Sequence, residues 1–368
     1  MADIRFNWTK EEILEVYNQP LMDLLYQAAS VHRKYHDPNT VQVSTLLSIK
    51  TGGCPEDCGY CPQAARYHTD VEGNDLMTVQ QVKAQALRAK SSGSSRVCMG
   101  AAWRNVKDGP EFDQVLEMVR TINKLDMEVC CTLGMITENQ AKRLAEAGLY
   151  AYNHNLDTSE EYYKEVISTR GYEDRLETID NVRKTNVTVC SGGIIGMGES
   201  AEDRAGMLVA LASLNPQPES VPINALVAVE GTPMEDQKPV EIWEMIRMVA
   251  TTRIVMPETQ VRLSAGRTEM SREGQAMCFF AGANSIFAGD KLLTTPNPDV
   301  NEDMDMFRQL GLNPQKPFIK KMQPQTVEAE NSQFQALGEK PKWTRPGHKI
   351  DRNEEAKSKA KELKNADK

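Results

Sequence analysis

The sequence predicts an α/β fold, a parallel (β/α)8 TIM-type barrel with an N-terminal helical extension. Three observations lead there. Eight strand-like segments alternate with helix-like ones between residue 44 and about residue 290. Inside those strands, one face is aliphatic and the other is polar or sulfur-bearing. The chain of 368 residues, 40% hydrophobic, is long enough to bury one large core. Counting strands does not show closure, so a doubly wound open sheet is the structural rival.

The elements follow in order. Thr9 and Glu12 have capping-box spacing, and Ile13, Leu14 and Tyr17 continue an apolar face, so residues before 40 read as helical. Strand-like segments span 44–50, 95–100, 128–134, 149–156, 186–194, 220–229, 260–266 and 283–289. Helix-like stretches between them include 79–90, 112–125 and 201–214. Another helix opens at Thr137-x-x-Gln140 and closes at Gly148, a plausible C′ position. This divides the chain into a helical segment (1–40), a barrel (41–320) and a C-terminal extension (321–368). From Gly338 the extension carries ten Lys and Arg against six Asp and Glu with few large apolar residues, and is expected to be disordered at its end.

Alternation within the strands carries more information than their number. Parallel strands covered on both faces read as continuous apolar runs. Here Arg96 and Cys98 oppose Val97 and Met99, and Glu128, Cys130 and Thr132 oppose Val129, Cys131 and Leu133. Likewise Thr188 and Cys190 oppose Val187 and Val189, and Arg262 and Ser264 oppose Val261 and Leu263. Asn153, Asn155 and Asp157 share one parity, and Asn224 opposes Val221, Ile223 and Ala225. Aliphatic faces under the helices leave the polar faces lining a central cavity.

Charge and composition exclude several classes. Forty-three Lys and Arg against 52 Asp and Glu argue against a general nucleic-acid or membrane-surface binder. No apolar run approaches the roughly 18 residues of a bilayer span, and the first residues carry no apolar signal region. The expected location is cytoplasmic, where eight cysteines are not disulfides but serve metal binding, catalysis or packing.

Three cysteines sit in one Gly- and Pro-rich loop after the first strand: Cys54-x-x-x-Cys58-x-x-Cys61. Three soft ligands with no evident fourth suit a [4Fe–4S] cluster with one iron left open. Zinc is the alternative, and would need a distant fourth ligand. Cys278, in a helix-like stretch, reads as packing.

The CxxxCxxC spacing, with Tyr60 before the last cysteine at the end of the first strand, resembles the signature of radical S-adenosylmethionine enzymes. The stretches VQVSTLLSIKTGGCPEDCGYCPQ, RVCMGAAW, YNHNLDTS, VCSGGIIGMGE, ESVPINALV, VRLSAGR and KLLTTPNP narrow this to the biotin synthase family, over residues 40–315. The resemblance implies a sulfurtransferase that converts dethiobiotin to biotin. A 5′-deoxyadenosyl radical from S-adenosylmethionine would abstract hydrogens, and a second cluster, [2Fe–2S], would supply sulfur.

Matched motif by motif, the resemblance makes Cys54, Cys58 and Cys61 the [4Fe–4S] ligands and Cys98, Cys130, Cys190 and Arg262 the [2Fe–2S] ligands. Parity selects Cys130 over Cys131, which falls with Val129 and Leu133. Tyr60, the backbone of Met99, Gly100 and Ala101, and Asp157, Arg175 and Ile194 would contact S-adenosylmethionine, Arg175 through its carboxylate and Asp157 through its ribose. Gly192, Ile194, Gly196 and Glu199 form the family's GxIxGxxE stretch. Asn153, Asn155 and Asn224 would surround the ureido ring of dethiobiotin, with Thr294 and Thr295 at its carboxylate tail. A homodimer and a small flavin or iron–sulfur electron donor are further implications. His154, of outward parity, is expected to be structural. The alternatives are another radical S-adenosylmethionine enzyme of similar barrel, such as a maturase, an iron–sulfur electron-transfer protein, or a zinc-binding structural protein.

Overall fold

The computed structural model describes residues 4–289 and 291–317, and the expected C-terminal extension lies outside them. Helices α1 (Lys10–Tyr17) and α2 (Leu21–Tyr35) come first. The barrel strands are β1 (Thr40–Lys50), β2 (Arg96–Ala101), β3 (Glu128–Thr132), β4 (Ala151–Asn153), β5 (Thr188–Cys190), β6 (Gly193–Ile195), β7 (Ser220–Ala225), β8 (Gln260–Leu263) and β9 (Ser285–Phe287). Around them run α3 (Val79–Ser91), α4 (Pro110–Asn123), α5 (Glu138–Glu146), α6 (Tyr163–Val166), α7 (Tyr172–Arg183), α8 (Ala201–Ala212), α9 (Ile242–Val255) and α10 (Arg272–Phe280). A hairpin, β10 (Lys291–Leu292) and β11 (Thr295–Pro296), leads to α11 (Val300–Leu310) and to β12 (Asn313–Pro314), which joins the start of β1.

All barrel pairings are parallel, and β1 pairs with both β2 and β9. The sheet therefore closes, and the open-sheet rival is excluded. Strands β5 and β6 both pair with β7 and form one interrupted stave, where a single strand over 186–194 was expected. The break has a steric cause. A Cβ on Gly192 would lie 2.0 Å from the Pro222 carbonyl oxygen, and one on Gly193 would lie 2.6 Å from the Asp157 carbonyl oxygen. Only glycine lets the backbone approach this closely.

Local signals start the helices. Thr9, Thr78, Thr137 and Ser200 each cap a helix in a complete capping box, worth on the order of 1 kcal/mol apiece. Helix α5 ends as expected at Gly148, with Leu149 N donating to Leu144 O and Gly148 N to Ala145 O, a Schellman closure.

The apolar residues separate as the alternation requires. Val97, Met99, Val129, Cys131, Val189, Ile223 and Leu263 join the large core between sheet and helices. Cys98, Cys130, Ala151, Cys190, Phe287 and Leu292 form a smaller cluster inside the barrel. Cys130 thus faces inward and Cys131 outward, and Cys278 is buried in the outer core. Below the inner cluster, buried Arg96 donates to Glu128 Oε2 at 2.7 Å and to Glu219 Oε1 at 2.8 Å.

Helix α2 packs on α9 through a basic cluster. The His32 and His36 rings stack at 5.4 Å, and Arg253 Nη1 donates to His36 Nε2 at 2.8 Å. Burial, and then the Arg253 charge, pull His32 down to about 3 and His36 down to about 4. An unfolded histidine titrates near 6.5. Between those values the unfolded chain binds more protons than the folded one, so stability falls as pH drops below about 6.5. The thermal midpoint is expected to decline from pH 7 to pH 5. His32→Leu is expected to flatten that slope in circular-dichroism melts, and an unchanged slope would refute the assignment.

Candidate active site

Residues at the C-terminal ends of the strands and in the loops beyond them enclose one cavity of about 320 Å³. At its mouth is the three-cysteine loop, and Cys54, Cys58 and Cys61 all line the wall. The loop is folded by its own backbone, with Cys54 N donating to Gln63 O, Ala65 N to Cys54 O and Cys61 N to Cys58 O. It is also moored to the segment after α6. Gly59 N donates to Val166 O at 2.9 Å, and the Asp57 carboxylate accepts from the backbone N–H groups of Ser168 and Thr169 at 2.9 and 3.0 Å and from the Ser168 hydroxyl. Partial burial opposes the Asp57 charge, but these hydrogen bonds outweigh it and hold the carboxyl well below the usual range. Burial pushes the Cys58 thiol up to about 11 and Cys61 up to about 12, and raises Cys54.

Deeper in the barrel is the second sulfur group. Register places Cys98 opposite Cys130 and Asn153 opposite Cys190. Hydrogen bonding by Cys130 draws Cys190 down to about 6 and lowers Cys98, while Cys130 itself is raised. Arg262, 1% exposed, donates to Cys190 Sγ at 3.8 Å, to Gln42 Oε1 at 2.9 Å and to Ser285 Oγ at 2.9 Å. Around this group Gln42 Nε2, Ser44 Oγ and Ser220 Oγ are buried without a hydrogen-bond partner. Unmet polar atoms beside three converging sulfurs fit a small inorganic centre. Among the described residues, no three His, Cys, Asp or Glu side chains are placed to hold a single metal ion.

Between the two levels are the polar strand ends. Asn153 Nδ2 donates to Cys190 Sγ and to Asn155 Oδ1, both at 3.2 Å, and Asn153 Oδ1 accepts from Thr132 Oγ1 at 3.2 Å. Asn224 Nδ2 donates to Gly193 O at 2.9 Å, and its Oδ1 accepts from Ala265 N at 3.2 Å. Asp157 sits at φ 69°, a left-handed conformation that asparagine and aspartate tolerate best. Its carboxylate accepts from Tyr60 Oη at 2.8 Å and pairs with Arg175. Arg175 also donates to Asn155 O at 2.6 Å and Tyr163 Oη at 2.8 Å. The β10–β11 hairpin lies over the opening. A Cβ on Gly100 would meet Leu293 Cδ2 at 2.9 Å, so glycine makes room for the hairpin, which adds Leu292, Thr294 and Thr295 to the wall.

The sequence-selected residues are therefore brought together. Gly100, Ala101, Ile194, Asn155 and Asn224 line the same cavity as the cysteines, Asp157 and Arg175. Cys190 is completely buried behind the wall, hydrogen-bonded to Asn153 and Arg262. His154 is buried just past the end of β4, its ring 6.5 Å from that of Tyr152 in the outer core; its Nε2 has no hydrogen-bond partner, and the residue also reaches the cavity lining. Glu56 and Arg170, also in the lining, were not anticipated. Glu56 was visible within the cysteine motif, but nothing in the sequence links it to a residue 114 positions on.

Residues 48–211 match the Radical SAM superfamily, and 222–313 match the Biotin and Thiamin Synthesis associated domain. The chain is 86% identical over 361 residues to the biotin synthase of Flavobacterium psychrophilum, covering 98% of this chain and 100% of that one. It is 86% identical over 357 residues to the biotin synthase of Flavobacterium johnsoniae, covering 97% and 98%. The crystal structure of a methylornithine synthase superposes with a TM-score of 0.70, covering 89% of this chain and 96% of that one, and at 16% identity it shows the shared fold alone.

The mooring through Asp57 can be tested without any cofactor. Asp57→Ala is expected to raise the alkylation rate of Cys58 by roughly tenfold, the factor that about 1.4 kcal/mol of lost loop-closing energy gives. Mass-spectrometric labelling of the metal-free protein reads that rate, and an unchanged rate would remove Asp57 from loop positioning.

Proposed function

We propose residue roles from one premise: the chain belongs to the biotin synthase family. The family's reaction inserts sulfur into dethiobiotin to give biotin, with a [4Fe–4S] cluster, a [2Fe–2S] cluster and S-adenosylmethionine. When bound, the [4Fe–4S] cluster and S-adenosylmethionine supply a hydrogen-abstracting 5′-deoxyadenosyl radical, and the [2Fe–2S] cluster supplies sulfur. The observation that carries the residue assignment is a single enclosed cavity bordered by both sulfur groups, with amide side chains between them.

Cys54, Cys58 and Cys61 hold the [4Fe–4S] cluster on the moored loop. Cys98, Cys130, Cys190 and Arg262 hold the [2Fe–2S] cluster, with Arg262 fixed by Gln42 and Ser285. Cys131 takes no part, since it faces the helices. Asp157 accepts from the ribose hydroxyls, oriented by Tyr60 and Arg175. Arg175 has five N–H donors, and those left after Asp157, Asn155 and Tyr163 are available to a carboxylate. The strand end at Gly100 and Ala101, with Ile194 opposite, frames the same ligand.

Asn153, Asn155 and Asn224 present amide donors and acceptors that match a cyclic urea, and Thr294 and Thr295 hold the carboxylate tail from the hairpin. The hairpin covers the opening and keeps water from a reactive intermediate. Hydrogen-atom abstraction needs no general base, so neutral His154 suits the wall, its pKa pushed well below 6.5 by burial.

The division into a helical segment (1–40), a barrel (41–320) and an extension (321–368) is part of this reading. So are a homodimer and a small flavin or iron–sulfur electron donor. Among the described residues no helix is long and apolar enough to cross a membrane.

The test is anaerobic reconstitution with iron and sulfide, followed by reductant, S-adenosylmethionine and dethiobiotin. Cleavage of S-adenosylmethionine is expected to depend on dethiobiotin and to yield biotin. Cys98→Ala and Cys190→Ala are expected to keep the [4Fe–4S] absorbance and lose biotin formation. Cys131→Ala is expected to keep both clusters while costing about 1 kcal/mol of stability. Biotin formed by both of the first two variants would overturn the sulfur-side assignment.

A further inference from the structure

Two charged groups, Glu56 within the cysteine loop and Arg170 beside it, have no role in the scheme above. The side chains of Glu56 and Arg170 are 3% and 8% exposed, and both line the cavity. Arg170 Nη2 lies 4.0 Å from Cys58 Sγ, a long sulfur hydrogen bond, and Nη1 lies 3.8 Å from Glu56 Oε1. Arg170 Nε and Glu56 Oε1 are both buried without a hydrogen-bond partner. Glu56 is held by the Thr169 hydroxyl and approached by Arg104 Nε at 3.6 Å, while Arg104 Nη1 donates to Thr169 O at 2.6 Å.

This arrangement is costly as a purely structural ion pair. A buried guanidinium is normally saturated by oxygen acceptors at hydrogen-bond distance. Arg253, equally buried, shows the ordinary solution, with carbonyl oxygens of Gly282, Pro257 and Thr259 within 3.1 Å. Arg170 instead keeps donor capacity facing the loop sulfur. A fixed cation within reach of a ligand sulfur stabilises the more negative, reduced state of a thiolate-bound centre over its oxidised state. A fixed anion at the same place does the reverse.

We propose that Arg170 and Glu56 are positioning residues that set the reduction potential of the centre held by Cys54, Cys58 and Cys61, Arg170 raising it and Glu56 lowering it. The proposal rests on the reading of those cysteines as [4Fe–4S] ligands. Each residue acts through the loop: Arg170 through Cys58, and Glu56 through Arg170.

The experiment uses the full chain, reconstituted anaerobically with iron and sulfide, without S-adenosylmethionine or dethiobiotin. Iron and sulfide are quantified first, and a parent protein without a [4Fe–4S] cluster would overturn the ligand reading itself. The midpoint of the one-electron couple is then measured by dithionite titration, followed by electron paramagnetic resonance. Arg170→Gln is expected to move the midpoint to more negative values, Arg170→Lys to restore it toward the parent, and Glu56→Gln to move it to more positive values. A cluster-bearing Arg170→Gln protein with the parent's midpoint overturns the proposal. If Arg170→Gln retains no cluster, Glu56→Gln decides: a positive shift supports the proposal, and no shift or a negative one overturns it.

Discussion

Strand β1 hydrogen-bonds to β2 along one edge and to β9 along the other, with Gln42 opposite Ser285 and Ser44 opposite Phe287. That second pairing turns a sheet into a barrel and leaves each strand residue only two destinations, the apolar layer under the helices or the enclosed interior. It also joins residues that an open sheet would hold at opposite edges. Arg262 on β8, Ser285 on β9 and Gln42 on β1 form one hydrogen-bonded group across the closure. The inner sulfur group depends on it, because Arg262 is fixed against Cys190 only while β1 and β9 stay paired.

An enclosed interior makes each buried charge expensive, and the barrel settles this differently at each depth. At the base, Arg96 meets two carboxylates and stacks over Tyr150 at 4.8 Å, which closes that end with a satisfied network. Halfway up, the partners of Arg262 are neutral amide and hydroxyl oxygens and a thiol, with Phe287 beneath the guanidinium at 4.6 Å. At the mouth, each nitrogen of Arg175 meets an oxygen, from Asp157, Asn155 and Tyr163, whereas Arg170 Nε has no partner.

Much of this interior was legible because a strand's period of two is rigid. Alternation alone sorted Cys130 from Cys131 and placed Cys98, Cys190 and Arg262 on the inner face, since a one-residue slip would have reversed every side chain. Capping boxes marked helix starts for a similar reason, because their partners are three residues apart. What escaped was contact over long separations and irregular backbone. The break between β5 and β6 depends on the approach of Pro222 and Asp157 to two glycines. The mooring of Asp57 depends on Ser168 and Thr169, which carry no mark of their destination.

Asn153 shows how these levels are linked. Its amide nitrogen has two hydrogens, directed to Cys190 Sγ and Asn155 Oδ1, while its oxygen is occupied by the Thr132 hydroxyl. A urea carbonyl that takes a hydrogen bond from this nitrogen must draw it from Cys190 or from Asn155. The first exchange removes a hydrogen-bond donor and leaves more electron density on the Cys190 sulfur, and the second frees Asn155, whose Oδ1 also accepts from Gly192 N at 3.2 Å. Either way, occupation of the amide site is transmitted to the inner sulfur group or to the glycine break that orients β6. The polar face is therefore more than a lining, since Asn153 joins the strand-end amides to the inner sulfur group through one nitrogen.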